Sequence, residues 1–421
     1  MIRTIASVAT LLFGVAILLA GQGLQGVLLP VRAGLEGFSM LAIGFIGGTY
    51  FLGFTLGCWH GARLIARVGH VRVFAAMTAA ASASPLLHGL WVNVWSWGAL
   101  RMLSGFCFAV LYVVIESWLN EQSTNENRGT VFSTYIFINM TVLAVGQQIL
   151  LLDDPRNLGL FAISSVLVSL AAVPVALSTS QAPREIRHAR LQLARLYRTS
   201  PAGMLGSLTA GLANGAFWSL APVFTAAYSG DVRLAAWFMT AGVLGGAAGQ
   251  WPLGRLSDKV DRRSVLIGVS ITGVVVAAAL WRFAAQIPLP GILALGFLWG
   301  AMAFPLYSIS VAHANDRVEA DDYVPVSSGL LLMYGAGAVT GPFLASALMT
   351  ASDFAGLFLF SALAHGLLAM LILWRSLQRA PDAVEHHTEF SDALTSALTA
   401  SQVYPRDQAE RRAAGDALGG G

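Results

Sequence analysis

The sequence predicts an all-α membrane protein with twelve transmembrane helices in two six-helix halves. Three observations lead to this prediction. The composition is 56% hydrophobic and only 11% charged, whereas soluble domains are about 45–50% apolar and about 25% charged. Long apolar runs recur along the chain, and each can cross a bilayer core that takes about 20 helical residues. A loop pattern also occurs twice, once in each half of the chain.

Twelve apolar runs are predicted to be the transmembrane spans, which are numbered in chain order. They cover residues 5–30, 40–62, 72–92, 95–119, 130–152, 157–178, 201–227, 234–256, 264–284, 290–313, 325–350 and 354–376. Helices are expected because lipid offers backbone groups no outside hydrogen-bond partner. The first run is too long for a signal peptide's apolar region and eleven more follow it, so it is expected to be span 1.

A polar, basic stretch divides the spans into six and six. Residues 179–200 are predicted to be a cytoplasmic linker between an N-terminal half, residues 1–178, and a C-terminal half, residues 201–378. Residues 379–421 are predicted to be a cytoplasmic, mostly disordered tail because of their polar composition. The stretch FSDALTSAL within this tail is a candidate short helix.

The positions of basic residues predict the orientation in the membrane. If the N-terminus is inside, the inside segments before the tail hold seventeen Lys and Arg residues and the outside loops hold four. The positive-inside rule then places both termini in the cytoplasm of a bacterial inner membrane. The basic residues are not clustered on one soluble face, which argues against nucleic acid binding. Cys58 and Cys107 show no disulfide or metal spacing, so neither a cofactor nor a metal is expected.

Two stretches 192 positions apart resemble each other, GCWHGARLIARVGHVR (57–72) and GQWPLGRLSDKVDRRS (249–264). The offset aligns Gly57 with Gly249, Trp59 with Trp251, and Arg63 with Arg255. One helical turn earlier in each span, Gly53 aligns with Gly245. A shared offset over a span and its loop predicts a duplicated six-span unit, which is typical of transporter folds. The small-xxx-small spacing of the glycines favours close helix packing.

GRLSDKVDRR, residues 254–263, resembles the loop motif of the major facilitator superfamily, roughly G-x-L-[AS]-D-R-x-G-R-[RK], which follows spans 2 and 8 in that family. Asp261 replaces the second glycine, and the copy after span 2 has Ala66 in place of the acid. RMLSG (101–105) resembles the family's span 4 signature R-x-x-x-G. The resemblance covers residues 1 to about 378.

A narrower resemblance is to the YcaD-like branch of bacterial transporters. It rests on RLIARVGHVRVFA (63–75), ESWLN (116–120) and GAGAVTGP (335–342). The resemblance implies a non-enzymatic, monomeric secondary transporter of a small molecule that works by alternating access. It also implies a cytoplasmic gate made of Arg67, Arg72, Glu116, Asp258, Arg262 and Arg263. Glu116 is expected to serve as the acid for Arg67 or Arg72, because Ala66 supplies none.

Polar residues within the spans are candidates for the substrate pathway. A charge at mid-bilayer costs about 2.5–3.5 kcal/mol on insertion scales, so Arg101 in span 4 is a functional candidate. It is expected to bind an anionic substrate group or to help move a proton; binding carbonyls of neighbouring helices is the structural alternative. The other candidates lie on spans that line the cavity in this fold: Gln22, Gln25, Asn139, Gln147, Asn214, Trp218, Tyr307 and Tyr334. Interhelical hydrogen bonds explain each of these equally well.

The sequence holds no Walker lysine, G-x-S-x-G or HExxH pattern, which argues against an ATP-driven pump or a hydrolase. Span 5 lacks the G-x-x-x-G-P signature of many drug–proton antiporters, which favours uptake. Trp59, Trp218 and Trp299 are able to stack on a flat ring, such as that of an aromatic vitamin like riboflavin. Proton-coupled efflux of drugs or metabolites is the alternative transport function. A membrane sensor or assembly factor that does not transport is the alternative of another class.

Overall fold

The computed structural model describes residues 2–124, 127–176, 193–318, 323–377 and 390, and these residues form helices and connecting turns without a β-strand. The first half comprises α1 (Ile2–Leu35), α2 (Met40–Val68), α3 (His70–Leu90), α4 (Val94–Glu121), α5 (Arg128–Gln148), α6 (Gly159–Leu170) and α7 (Ala172–Ala176). A short α8 (Leu193–Thr199) precedes the second half. That half comprises α9 (Pro201–Ser229), α10 (Arg233–Lys259), α11 (Arg262–Phe283), α12 (Leu289–Ala303), α13 (Pro305–Asn315), α14 (Tyr323–Ala351) and α15 (Gly356–Ser376).

Within the described ranges, nine helical segments are long and apolar enough to cross a membrane. They are Ala9–Leu35, Met40–Val68, His70–Leu90, Val94–Glu121, Gly129–Leu152, Arg262–Gln286, Leu289–Asn315, Pro325–Ala351 and Gly356–Ser376. The segment Gly159–Val175 is apolar but shorter. Helices α9 and α10 are long but rich in Gly, Ala and polar residues. The all-helical architecture is therefore confirmed, whereas the count of twelve spans stays a prediction.

Two predicted spans are each divided into two helices. The span from residue 290 to 313 breaks at Phe304, between α12 and α13. Pro305 follows directly, and proline both lacks an N–H and restricts the residue before it. The span from residue 157 to 178 breaks between α6 and α7, and its last residues lie outside the described ones. Most of the predicted linker also lies outside them, apart from α8, whose Leu196 packs in a core cluster with helices of the second half.

Glycines let pairs of helices touch backbone to backbone. A Cβ placed on Gly53 of α2 would lie 1.9 Å from the carbonyl oxygen of Met102 on α4. A Cβ on Gly245 of α10 would lie 1.9 Å from the carbonyl oxygen of Phe297 on α12. The same contact therefore occurs twice, at the 192-residue offset that the sequence analysis identified. Small residues permit such approach where lipid supplies no hydrophobic driving force between helices.

The two halves meet along a seam that is sealed at one end, here called the closed end. This end carries the α1–α2 turn and the α9–α10 turn. Gly44 of α2 lies against Ser346 of α14, and Gly47 lies against Ser219 of α9. Thr240 of α10 accepts a hydrogen bond from Nε2 of Gln148 on α5 at 2.6 Å. Small and polar side chains from both halves thus fill the closed end.

The opposite end of the seam, here called the open end, carries the α2–α3 and α10–α11 turns. Trp59 of α2 and Trp251 of α10 are 54% and 65% exposed there. Phe137 of α5 is 71% exposed. Trp59 lies four residues after Thr55, which still contacts Gly335 of α14, so both point to the same side of α2. Trp59, which faces the other half, is thus uncovered at this end.

We expect Gly53→Ala and Gly245→Ala to lower the thermal unfolding temperature of the purified protein. Each added methyl group would overlap a backbone carbonyl that cannot move aside, and overpacking typically costs about 1–3 kcal/mol. Gly268→Ala is the matched control, because a Cβ there meets no atom within 4 Å. Unfolding would be followed in detergent by tryptophan fluorescence. Equal unfolding temperatures for Gly245→Ala and Gly268→Ala would contradict the packing role.

Candidate functional site

A chain of polar contacts crosses the first half. Gln22 of α1 donates from Nε2 to the hydroxyl of Tyr50 on α2 at 3.1 Å. The hydroxyl of Tyr112 on α4 donates to Oε1 of Gln22 at 2.6 Å. The guanidinium of Arg101 lies 4.1 Å from the centre of the Tyr50 ring, a cation–π contact. One glutamine and two tyrosines thus connect three helices to a buried cation.

The contacts continue to Glu116 on α4. Tyr135 of α5 donates to Oε1 of Glu116 at 3.4 Å, and Asn139 lies close to both Tyr112 and Tyr135. Glu116 is only 7% exposed. Within the described part of the chain, no basic side chain pairs with Glu116. Since an unpaired buried anion is costly, a proton on this carboxyl would remove that cost.

Arg101 lies at the seam between the halves. It lines a small cavity together with Leu29 and Ile46 of the first half and Ser219 of the second. Its side chain is 8% exposed, and no acid among the described residues forms an ion pair with it. A buried guanidinium that lines a cavity and has no ion-pair partner among the described residues is suited to receive an anion.

The second half contributes a smaller polar cluster. Asn214 of α9 donates from Nδ2 to the hydroxyl of Tyr334 on α14 at 3.5 Å. The rings of Tyr334 and Tyr307 of α13 are 4.9 Å apart. Trp218 of α9 stacks on Phe304 at 5.7 Å with nearly parallel planes. Both halves therefore bring tyrosine hydroxyls and an amide together, which allows hydrogen bonds to a polar solute between them.

Other predicted pathway residues have different surroundings. Gln147 accepts from the Thr240 hydroxyl at 3.1 Å, so it belongs to the sealed seam. Gln25 is 2% exposed, and its buried Nε2 forms no hydrogen bond with the described residues. Trp299 is 1% exposed; it stacks on Phe217 and donates to Ser361 at 2.9 Å. The expectation that Trp299 stacks on a substrate does not fit this structure, because the ring is enclosed by Phe217, Phe304 and Phe358 and its N–H is bonded to Ser361.

The loop motif of the second half forms a buried ion-pair cluster. Arg262 is fully buried and pairs with Asp258 at 3.2 Å and with Asp316 at 2.9 Å. Asp316 follows α13, so the cluster ties together the ends of α10, α11 and α13. Asp261 caps α11 by accepting from the backbone N–H of Arg263 at 2.9 Å. This N-cap role accounts for an aspartate at position 261, where the family motif has its second glycine.

The first half carries an uncharged version of this cluster. His70 occupies the position of Arg262 at the 192-residue offset, and its Nε2 lies 3.0 Å from the Ser117 hydroxyl. Helices α4 and α12 align at an offset of 195 residues, because Gly105 and Gly300 make equivalent backbone contacts with α2 and α10. This offset places Glu121 in the position of Asp316. Exposed Arg67 and Arg72 form no ion pair with Glu116 in this conformation. The predicted pairing is thus replaced by the contact of Glu116 with Tyr135.

Several site residues were missed in the sequence although signals for some of them exist. Tyr112 lies eleven residues after Arg101, which is three helical turns and therefore the same helix side. His70 follows from the 192-residue offset within the aligned stretch, and Asp316 follows from extending the repeat to the later helices. Tyr50 and Tyr135 have no such signal, because an aromatic residue in an apolar span is ordinarily interpreted as a packing residue.

Comparisons with known proteins agree with this architecture. The family model described as Major Facilitator Superfamily matches residues 11–199 and 203–407. The MFS-type transporter YcaD of Salmonella typhi is 27% identical over 382 residues, covering 90% of this chain and 98% of the relative. The MFS-type transporter YE1530 of Yersinia enterocolitica is 26% identical over 350 residues, covering 81% of this chain and 88% of the relative.

Two solved structures share the fold. The nucleoside transporter NupG is similar with a TM-score of 0.75 at 12% identity, over 87% of this chain and 98% of that chain. A bacterial homologue of the human lysosomal transporter Spinster, in an inward-facing and occupied conformation, has a TM-score of 0.71 at 13% identity, over 90% of this chain and 97% of that chain.

We expect Asp316→Asn to destabilise the second half more than Asp258→Asn does. The Asp316 side chain is 4% exposed and the Asp258 side chain 35%. Removing one partner of a buried pair typically costs about 3–5 kcal/mol, whereas exposed pairs contribute about 0–1 kcal/mol. Thermal unfolding in detergent measures both, with exposed Asp353→Asn as the control. If Asp316→Asn unfolds at the temperature of the control, the cluster has no structural role.

Proposed function

The chain belongs to the major facilitator superfamily, and on this premise we propose that it is a secondary transporter that moves a small organic solute by alternating access. The observation that carries the proposal is the seam, sealed at one end and uncovered at the other, with polar clusters of both halves beside it. Rocking of two halves about a central site is the general mechanism of such transporters. The aromatic residues uncovered at the open end supply a surface for the opposite closure.

We further propose that the open end faces the cytoplasm of a bacterial cell and that both termini lie there. The excess of basic residues in the loops on this side supports the orientation. The described conformation is then inward-open. On this proposal the cluster of Asp258, Arg262 and Asp316 is the gate element of the second half, while His70 with Ser117 is its uncharged counterpart in the first.

The proposed solute has a flat ring with several hydrogen-bonding groups. Tyr50, Tyr112, Tyr307 and Tyr334 offer hydroxyls, and Trp218 remains as an aromatic surface after Trp299 is excluded. NupG, which shares the fold, is named a nucleoside transporter, and nucleosides and aromatic vitamins such as riboflavin both have these groups. Uptake is favoured because span 5 lacks the G-x-x-x-G-P signature of many drug–proton antiporters.

Proton-coupled efflux is the second candidate, and one observation favours it. Glu116 is a buried acid without a cationic partner among the described residues, and the chain through Tyr135, Asn139, Tyr112 and Gln22 leads from it toward Arg101. Buried acids carry protons in membrane pumps and transporters. Measuring transport by the Glu116→Gln variant would distinguish proton-coupled efflux from facilitated uptake. Loss of transport driven by a pH gradient would favour proton coupling, and retained transport would favour facilitated uptake.

We expect Arg101→Ala to weaken the binding of a solute that has an anionic group by about 10- to 100-fold, because a charge-assisted hydrogen bond is worth about 1.5–3 kcal/mol. Arg101→Lys should recover only part of the affinity, since an ammonium lacks the planar fork of a guanidinium. A thermal-shift screen of the purified protein with nucleosides, nucleotides, riboflavin and flavin mononucleotide would find the ligand, and isothermal calorimetry would give its affinity. Exposed Arg282→Ala is the control. Unchanged affinity for Arg101→Ala would remove Arg101 from the site.

We expect cysteines at positions 59 and 331 to cross-link in the state in which the open end has closed. The antiparallel contacts of Gly44 with Ser346 and Thr55 with Gly335 place Trp59 opposite Leu331 in the continued register. Trp59→Cys and Leu331→Cys would be combined with Cys58→Ser and Cys107→Ser and treated with a short bifunctional maleimide. The pair Trp59→Cys with Leu344→Cys, which lies near the closed end, is the control. Absence of a cross-link with and without ligand would contradict alternating access at this seam.

A further inference from the structure

One residue of the C-terminal tail is buried against the second half. Phe390 is 7% exposed and belongs to the apolar cluster that also holds residues of α11, α13 and α14. It lies fourteen positions after the end of α15 at Ser376. A large aromatic side chain of a polar tail is therefore removed from water at a specific place on the folded domain, and the hydrophobic effect favours this burial.

The place that receives the ring is the glycine at the start of the loop motif. A Cβ on Gly254 of α10 would lie 2.3 Å from Cδ1 of Phe390 and 2.9 Å from Cγ. Any residue other than glycine at 254 would thus push the ring aside. The backbone N–H of Phe390 also donates to Oδ1 of Asp258 at 3.0 Å. The same oxygen accepts from Nη2 of Arg262 at 3.2 Å, so the tail shares a carboxylate with the gate cluster.

The helical register places this contact at the mouth of the open end. Gly254 lies five turns after Ala236, whose carbonyl accepts from Gln148 of α5, so it points to the side of α10 that faces the other half. It also lies one turn after Gln250, which donates to Ser308 of α13 at 3.2 Å. Phe390 therefore sits in a groove between α10 and α13, at the edge of the seam.

We propose that this groove is a binding site for the chain's own tail and that Phe390, when bound there, acts as a wedge that keeps the open end from closing. The closing movement brings α5 toward the side of α10 on which the ring rests. Undocking of Phe390 removes the ring from the seam and takes its backbone N–H away from the Asp258 carboxylate. The effect on closure rests on the alternating access proposed above, whereas docking itself does not, so the two are tested separately.

Docking is tested by cleavage with the glutamate-specific protease Glu-C after Glu389, the residue before Phe390. Gly254→Ala displaces the ring without changing the tail sequence, and Gly268→Ala adds a methyl group where no atom lies within 4 Å. Because proteolysis follows the population of the opened segment, we expect Gly254→Ala to be cleaved there about tenfold faster than Gly268→Ala and the unchanged protein. Equal cleavage rates for the two glycine variants would overturn the docking site.

A second variant pair keeps docking testable if Gly254→Ala alters the fold. Gly254→Cys with Phe390→Cys, in a background of Cys58→Ser and Cys107→Ser, removes the ring and leaves room for a disulfide. We expect oxidation to link the two peptides, as detected by mass spectrometry. Gly268→Cys with Phe390→Cys is the matched control and should stay unlinked. Similar yields from both pairs would also overturn the site.

The wedge is tested at Trp59, which lies at the open end on the first half's side of the seam, opposite Leu331 of α14 in the register given above. Trp59→Cys in the same background should react with a water-soluble maleimide about threefold more slowly when Phe390→Ala is added, because the closed population rises. Phe354→Ala, an exposed aromatic residue near the closed end, should leave the rate unchanged. Fast cleavage of Gly254→Ala together with an unchanged labelling rate for Phe390→Ala would show a docked tail that does not oppose closure, and would overturn the wedge.

Discussion

The backbone contact of glycine with a carbonyl oxygen is the constraint on which the rest of the structure depends. Lipid is as apolar as the helices, so association within each half relies on close packing rather than on a hydrophobic driving force. Gly53 against Met102 and Gly245 against Phe297 supply that packing in equivalent places. This close packing holds the polar clusters within each half, whereas the contacts between the halves at the closed end are made by Gly44 and Gly47 against serines.

The two halves have kept this packing while their loop motifs have diverged. The second half holds a buried arginine between two acids, and the first holds a histidine beside a serine. A fully buried guanidinium needs both carboxylates, since an unpaired buried charge is costly. The histidine–serine contact has no such requirement. On the alternating access proposed above, the two gate elements would therefore respond differently to the same movement, one by exchanging charged partners and the other through a single histidine–serine contact.

The sequence allowed the helices and the repeated glycine contacts to be predicted, because apolar length and glycine spacing are local properties. It also singled out Arg101 and Glu116, since charged residues within spans are rare. It could not show that Glu116 meets Tyr135 instead of Arg67, because that choice depends on how α4 rotates against α5. It gave no sign that Trp299 is enclosed by Phe217 and Ser361, or that Phe390 returns from the tail to Gly254. These contacts join positions distant in sequence and follow no periodic pattern.

The position of Arg101 within the closed end also has an electrical consequence. The contacts that seal the seam extend along α2 from Gly44 to Thr55, a helical length of about 17 Å, whereas the hydrocarbon core of a bilayer measures about 30 Å. If water enters from the open end, the voltage across the membrane falls mainly over this shorter barrier. A guanidinium inside the barrier then experiences a steep field, in which moving one charge through 100 mV changes its energy by about 2.3 kcal/mol. Arg101 is the one cation that the described residues place within this thin barrier, so the membrane potential acts on the seam itself.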